Sequence, residues 1–527
     1  MATRTFRNPV ISGFYSDPTI CCAGEDFYLI TSSLEYFPGL PIFHSRDLVH
    51  WQQIGHVLDR PSQLNLDDVG CSAGNYAPTI RYHGGRFYVV GTLRRPAEQG
   101  VHDINFVVTA ENPAGPWSDP VTLIEIPGII DPSLFFDDDG RAWYVANARV
   151  AEPRWPGYRD IWVQEFDAKN LALIGEKTLL WNGAVIGAQA PEAPHIYKVN
   201  GMYYLLIAEG GTFHDHAVTI ARGPSVTGPY EGNPRNPILT HRHLGLNYPI
   251  TNPGHADLIQ TKTGEWWLVA LASRPYGGYY YNLGRETFLA RVKWEDGWPI
   301  VNPGRGCLEQ EQVAPDLKPC PVPSLPACDH FDTPMLAFCW NFIRTPRSDF
   351  WSLSQRPGHL RLRLRRERLS DLANPSFVGQ RQRHMDCAVR TSMAFAPQAP
   401  GEEAGLALVQ NNNYHFRFTL SRATDGGLEA RLIRRKGGEE ETLGTCRATG
   451  TLHYLKVEAV GQDYAFYYAA TPEAWVPIAE QVDGRILSTP VAGGFVGTMI
   501  GMYASANGVS SESVADFDYF EYLSLDR

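Results

Sequence analysis

Nowhere in the 527 residues is there a run of about 18 apolar side chains, the length a helix needs to cross a bilayer. The opening stretch, Met1 to Pro9, has no continuous apolar segment of the kind a secretory leader carries, so a cytoplasmic protein is expected. Positive charge is also in deficit: 46 Lys and Arg face 57 Asp and Glu, a formal charge of −11. Affinity for nucleic acid rests on neutralising phosphates and needs the opposite balance, so neither nucleic acid nor a membrane is expected as a partner. The nine cysteines are odd in number, Cys21 and Cys22 are adjacent, and no spacing resembles a zinc ligand set, so reduced, structural thiols are expected. Low-complexity sequence is missing too, and a chain of this length without it is expected to form two folded domains.

What is plentiful is turn-forming and aromatic sequence. With 49 Gly, 39 Pro and 12% aromatics, short strands joined by tight turns are favoured over long helices, and an all-β chain is expected. Hydrophobic residues at 43% and charged residues at 20% are a globular balance.

A unit recurs along the first three hundred or so residues with a period of roughly sixty. Each copy opens with a small or acidic residue beside Pro or Ala and reaches an aromatic pair soon after. The copies are Ser16-Asp17-Pro18-Thr19 with Phe27-Tyr28, Tyr76-Ala77-Pro78-Thr79 with Phe87-Tyr88, and Asp131-Pro132-Ser133 with Trp143-Tyr144. They continue with Glu192-Ala193-Pro194-His195 before Tyr203-Tyr204 and Gly254-His255-Ala256-Asp257 before Trp266-Trp267. Turn signals such as Gly84-Gly85, Asp139-Gly140 and Asn200-Gly201 separate the landmarks, so each unit starts as a β-hairpin. Radial repetition hides strand edges, and five such units imply a five-bladed β-propeller over residues 1–305. A solenoid would show a short leucine or asparagine ladder instead.

Residues 306–327 carry Pro315, Pro319, Pro321, Pro323 and Pro326 and are expected to be a linker. Beyond them, segments such as His359-Leu360-Arg361-Leu362-Arg363-Leu364 and Tyr414-His415-Phe416-Arg417-Phe418 alternate with period two. That is the pattern of half-buried strands, and residues 328–527 are expected to form a jelly-roll β-sandwich.

Blade-opening strands of a propeller line one channel, so matching repeat positions become neighbours. Aligned on Pro or Ala, Asp17, Ala77, Asp131, Ala193 and His255 are equivalent, with Tyr76 and Glu192 one residue earlier. A single Asp-Pro is an ordinary turn opener. Three acids around one axis repel and resist burial, and function is the better explanation. Breaking a glycosidic bond requires a proton donor for the leaving oxygen and a carboxylate acting on water or on the anomeric carbon. A third acid can hold the donor protonated.

The segments Asn8-Pro9-Val10-Ile11-Ser12-Gly13-Phe14-Tyr15-Ser16-Asp17-Pro18, Ile130-Asp131-Pro132-Ser133 and Glu192-Ala193-Pro194-His195 resemble the three catalytic motifs of glycoside hydrolase family 43. Phe37-Pro38-Gly39-Leu40-Pro41, Ala208-Glu209-Gly210-Gly211-Thr212 and Gly284-Arg285-Glu286-Thr287 extend the likeness along the chain. The whole is similar to the β-xylosidase and α-L-arabinofuranosidase type with a C-terminal, concanavalin-like β-sandwich. The resemblance implies an inverting mechanism with Asp17 as general base, Glu192 as general acid, and Asp131 as the pKa modulator that also orients Glu192. It implies substrate-binding positions at Leu34, Tyr76, Ala77, Thr212, Arg285 and Phe495, the last reaching from the sandwich over the propeller mouth. Core packing is the plain alternative for Phe495. His255 resembles a histidine that in several relatives sits near calcium; a water-mediated contact is implied, because calcium prefers oxygen ligands, and a neutral core histidine is the alternative. No cofactor is implied for the chemistry.

The expected activity is exo-acting release of D-xylose from the non-reducing ends of β-1,4-xylo-oligosaccharides, as in xylan degradation. Leu34 and Tyr76 stand where the resembled xylosidases carry Phe and Trp, so α-L-arabinofuranosidase side activity on arabinose-substituted oligosaccharides is also expected. A primary α-L-arabinofuranosidase, an endo-acting arabinanase and a non-catalytic carbohydrate-binding propeller are the competing readings. Relatives of the family are often dimers or tetramers, so a homo-oligomer is implied.

Overall fold

The computed structural model describes residues 4–97, 100–184 and 187–526. Among them the regular secondary structure is almost wholly β, its helical pieces being the four-residue turns Gly484–Leu487 and Thr489–Ala492. Each of the five repeat landmarks lies within, or directly precedes, the first long strand of a separate antiparallel sheet. These strands are Thr19–Ala23, Thr79–His83, Ile129–Phe136, Glu192–Val199 and Thr251–Gln260. They touch one another in cyclic order, each packing on the next and the fifth returning to the first. The repeat supplies the stitches. Two residues after each landmark stands a polar side chain that reaches a neighbouring sheet: Thr79 Oγ1 donates to the Pro132 carbonyl at 2.9 Å, and Ser133 Oγ to the Pro194 carbonyl at 2.5 Å. Asp257, fully buried, accepts from Thr19 Oγ1 at 2.8 Å, Arg81 Nη1 at 2.8 Å and Tyr197 Oη at 2.5 Å, so residues of four sheets meet on one carboxylate.

Four of the five landmark residues share a backbone anomaly. Asp17, Asp131, Ala193 and His255 have φ of 56°, 52°, 54° and 44°. A non-glycine residue in the left-handed region costs roughly 1–2 kcal/mol, and such strain collects where function requires it. Here it shifts the strand register between Ile130 and Ser133, between Glu192 and His195, and around Gly254, as a β-bulge does. In these strands the kink re-aims the side chains around it.

The second half of the chain builds a six-stranded and an eight-stranded sheet that share one apolar core, with Phe416 and Phe418 of one facing Phe466 of the other at 5.7 Å. This core runs on into the first half: Phe342–Ile343 pairs with Tyr36–Phe37, and Arg381 Nε donates to the Phe14 carbonyl at 2.6 Å. The span expected to be a linker is fastened down. Glu311–Val313 pairs with Thr5–Arg7, Arg4 Nη2 donates to the carbonyls of Pro315 at 2.5 Å and Leu317 at 2.7 Å, and Cys320 N donates to Asp47 Oδ2 at 2.7 Å. Proline-rich chain lacks donors but keeps its carbonyls, and here these anchor it. All nine cysteines are free.

Candidate functional site

At one mouth of the ring a cavity of about 160 Å³ is lined by Asp17, Asp131 and Glu192, the three acids brought together from the first, third and fourth sheets. Leu34, Tyr76, Ala77, Thr212, His255, Arg285 and Phe495 line the same cavity. A larger surface hollow of about 920 Å³ beside Trp351 has none of these acids.

The acids occupy different electrostatic settings. Burial alone would raise the carboxyl of Asp17, but Arg285, His255 and the hydroxyls of Ser32 and Ser16 outweigh it and hold Asp17 below the usual aspartate value. Arg285 Nη1 donates to Asp17 Oδ1 at 3.1 Å, Ser16 Oγ to Oδ2 at 3.0 Å, Ser32 Oγ also bonds Oδ2, and His255 Nδ1 lies 3.5 Å from Oδ1. Asp131 has no such escort. Burial, then the nearby Glu192 and Asp17 charges, push it well above the usual value against the pull of Arg159. Opposed environments for neighbouring carboxyls are how one site holds an ionised group and a protonated one at the same pH. Glu192 is the best exposed of the three and accepts from Arg159 Nη1 at 3.1 Å; Arg159 is itself steadied by Asn147 Oδ1 at 3.1 Å.

Arg285 organises the wall opposite. Besides Asp17 it donates to Thr212 Oγ1 at 3.2 Å and, through Nε, to the Phe495 carbonyl at 3.3 Å, with its guanidinium carbon 5.3 Å from the Phe495 ring centre. A backbone contact enforces this meeting of the two halves. A Cβ on Gly284, at φ 72°, would sit 2.8 Å from Gly497 Cα, so only glycines let these segments touch. Ser72 Oγ fixes the approach by accepting from Phe495 N at 2.8 Å. Tyr76 Oη accepts from Arg94 Nη1 at 3.3 Å, while Leu34, at φ 49°, exchanges backbone hydrogen bonds with Asn75 at 3.0 Å.

His255 is buried beside Asp17, and burial lowers its pKa although Asp17 pulls the other way. Among the described residues no group of three or more His, Cys, Asp or Glu side chains is placed to hold a metal ion directly, whereas the calcium contact expected for His255 is one through water. Its neighbours fit a histidine that supports Asp17.

Sequence reasoning missed Arg94, Ile130, Arg149, Arg159 and His216, which complete the lining. The arginines stand at the ends of second and third strands, away from the repeat landmarks, and only the charge at a strand end facing the mouth marks them. His216 lies against Gly254, where a Cβ would come within 2.2 Å of its ring.

The family model for glycosyl hydrolases family 43 matches residues 6–299, and that for the β-xylosidase C-terminal concanavalin A-like domain matches residues 328–523. The chain belongs to glycosyl hydrolases family 43. This family 43 enzyme is 44% identical to a xylosidase/arabinosidase of Butyrivibrio fibrisolvens over 98% of both chains. It is 40% identical to a non-reducing end α-L-arabinofuranosidase of Bacteroides ovatus, covering 100% of this chain and 96% of the relative. A solved xylan β-1,4-xylosidase from Bacillus halodurans superposes with a TM-score of 0.92 at 36% identity, covering 98% of this chain and 99% of that one. The family 43 enzyme is thus a glycoside hydrolase of the xylosidase/arabinosidase group, acting on carbohydrate.

Proposed function

We propose that the enzyme removes single pentose units from non-reducing ends with inversion, chiefly D-xylose from β-1,4-xylo-oligosaccharides, with α-L-arabinofuranosidase activity beside it. The five sheets are read as the blades of a propeller over residues 1–305, joined through 306–327 to a sandwich over 328–527. The observation that carries the reading is the pairing of an ionised Asp17 with a separate acid, Glu192, across one small cavity.

Asp17, held as the anion by Arg285 and its two serine donors, takes a proton from water as the water oxygen attacks the anomeric carbon. Glu192 gives its proton to the glycosidic oxygen as the bond to the leaving group breaks. Asp131, whose carboxyl burial and the neighbouring Glu192 hold well above the usual aspartate value, tunes and orients Glu192. Two carboxyl groups acting on opposite faces of the sugar invert its configuration. At about 160 Å³ the cavity is well below the roughly 300–1,000 Å³ of pockets for drug-sized ligands, which suits one pentose ring. Phe495 closes the wall beyond it and disfavours an endo-acting cleft.

A primary α-L-arabinofuranosidase is the second reading, favoured by the Bacteroides relative's name and by Leu34, which leaves more room than an aromatic ring. Kinetics on p-nitrophenyl β-D-xyloside and α-L-arabinofuranoside decide between them. In the same assay Glu192→Ala is expected to lose about 10²–10⁴-fold in kcat on xylobiose and far less on the aryl xyloside, whose phenolate leaves without a proton. Equal losses on both would remove Glu192 as the acid.

A further inference from the structure

The side of the pocket where Glu192 meets the leaving group is crowded with cations. Arg149 and Arg159 are direct partners across adjacent strands of the third sheet, and Arg94 joins them from the second. Like charges directly opposite one another destabilise a sheet, so a two-arginine rung needs a compensating role. The three are not equivalent. Arg94 is neutralised by Asp103 through a two-pronged pair of 2.7 and 2.8 Å. Arg159 is matched by Glu192 only while Glu192 is ionised, and loses its counter-charge when Glu192 carries the proton it donates. Arg149 makes no side-chain hydrogen bond or ion pair among the described residues, and it is exposed at the mouth. Its stem is given a place to lie: a Cβ on Gly128 would fall 3.0–3.2 Å from Arg149 Cβ, Cγ and Cδ. With Asp17 matched by Arg285 and Arg94 by Asp103, Arg149 is left as a cation at the mouth on the leaving-group side with no carboxylate paired to it among the described residues.

We propose that this side of the pocket accepts leaving groups bearing a carboxylate, a uronate-substituted saccharide being the natural class, with Arg149 as the cation that pairs with it. The inference rests on Glu192 as proton donor, because that role fixes which side holds the leaving group. A planar guanidinium suits a carboxylate, which it can grip with two parallel N–H donors.

The test compares 3-carboxyphenyl and 3-carbamoylphenyl β-D-xylopyranosides, near-isosteric leaving groups that differ in charge, at neutral pH. The wild-type enzyme is expected to favour the carboxylate by roughly fivefold in kcat/KM at low salt, the size of an exposed ion pair. The ratio should shrink towards one at about 1 M salt, collapse in Arg149→Gln, and survive in part in Arg149→Lys. A wild-type ratio of one, or a ratio that Arg149→Gln leaves intact, overturns the proposal alone. Failure to cleave either these xylosides or the matching arabinofuranosides overturns the reading of function and the proposal with it.

Discussion

The guanidinium carbon of Arg285 lies 5.3 Å from the ring centre of Phe495, so a side chain of the second half of the chain closes the pocket on the very residue that holds Asp17 ionised. The two glycines in contact beside them, Gly284 and Gly497, bring the segments that close together. The sandwich is therefore part of the site.

That arrangement separates two variants. Phe495→Ala should lower kcat/KM on aryl pentosides about tenfold, between what an exposed and a desolvated cation–π contact contribute, with little change in Tm. Gly497→Ala puts a Cβ 2.6 Å from the Leu283 carbonyl and should lower both activity and Tm, since the two halves must separate to admit it. Steady-state kinetics beside thermal unfolding distinguish them.

Asp17 and Asp131 should respond to amide replacement with opposite signs. Asp17 is held below its usual value, so it contributes stability at pH above about 3.8 that is lost as pH falls through its folded value. Asp131 is raised, so the stability of its protonated form is full below about 3.8 and declines as pH rises towards its folded value. At pH 7 Asp17→Asn should lower Tm and Asp131→Asn should raise it by about 2 °C, while both lose most activity. The Asp131→Asn gain should vanish near pH 3. Calorimetry across pH checks the signs.

Much of the site was legible because the repeat is physical. The aligned residues Asp17, Asp131, Ala193 and His255 adopt the same left-handed kink, so alignment in sequence became alignment in space. Ala77 occupies the same repeat position without that kink, and the repeat did not announce the exception. Arg149 and Arg159 escaped notice because their meeting depends on strand register, which the Gly-, Pro- and aromatic-based landmarks do not encode. The proline-rich stretch read as a linker for a similar reason: composition marks the missing donors, but not the partners its carbonyls and remaining N–H groups find, as Arg4 and Asp47 do here.

The Asp257 hub carries the ring. Asp257→Ala takes the carboxylate from the half-buried Arg81 guanidinium and leaves Thr19 and Tyr197 without their acceptor, which should cost about 3 kcal/mol. Denaturant unfolding monitored by tryptophan fluorescence measures it, and a loss under about 1 kcal/mol would contradict the hub's role.

Sugar choice should follow the filled volume of the pocket. The pair Leu34→Phe with Tyr76→Trp narrows the cavity and removes the hydroxyl that accepts from Arg94. It is expected to raise the ratio of β-xyloside to α-L-arabinofuranoside kcat/KM about tenfold, within the range one pocket group can discriminate. An unchanged ratio would detach these two positions from specificity.

The proposed division of labour between Asp17 and Glu192 would leave a stereochemical record in the product. Proton NMR of the first sugar released from a β-D-xyloside, read before the anomers equilibrate, should show α-xylose, because water activated by Asp17 attacks opposite the bond that Glu192 protonates. First-formed β-xylose would mean a covalent glycosyl-enzyme and would contradict Asp17 as a base acting on water.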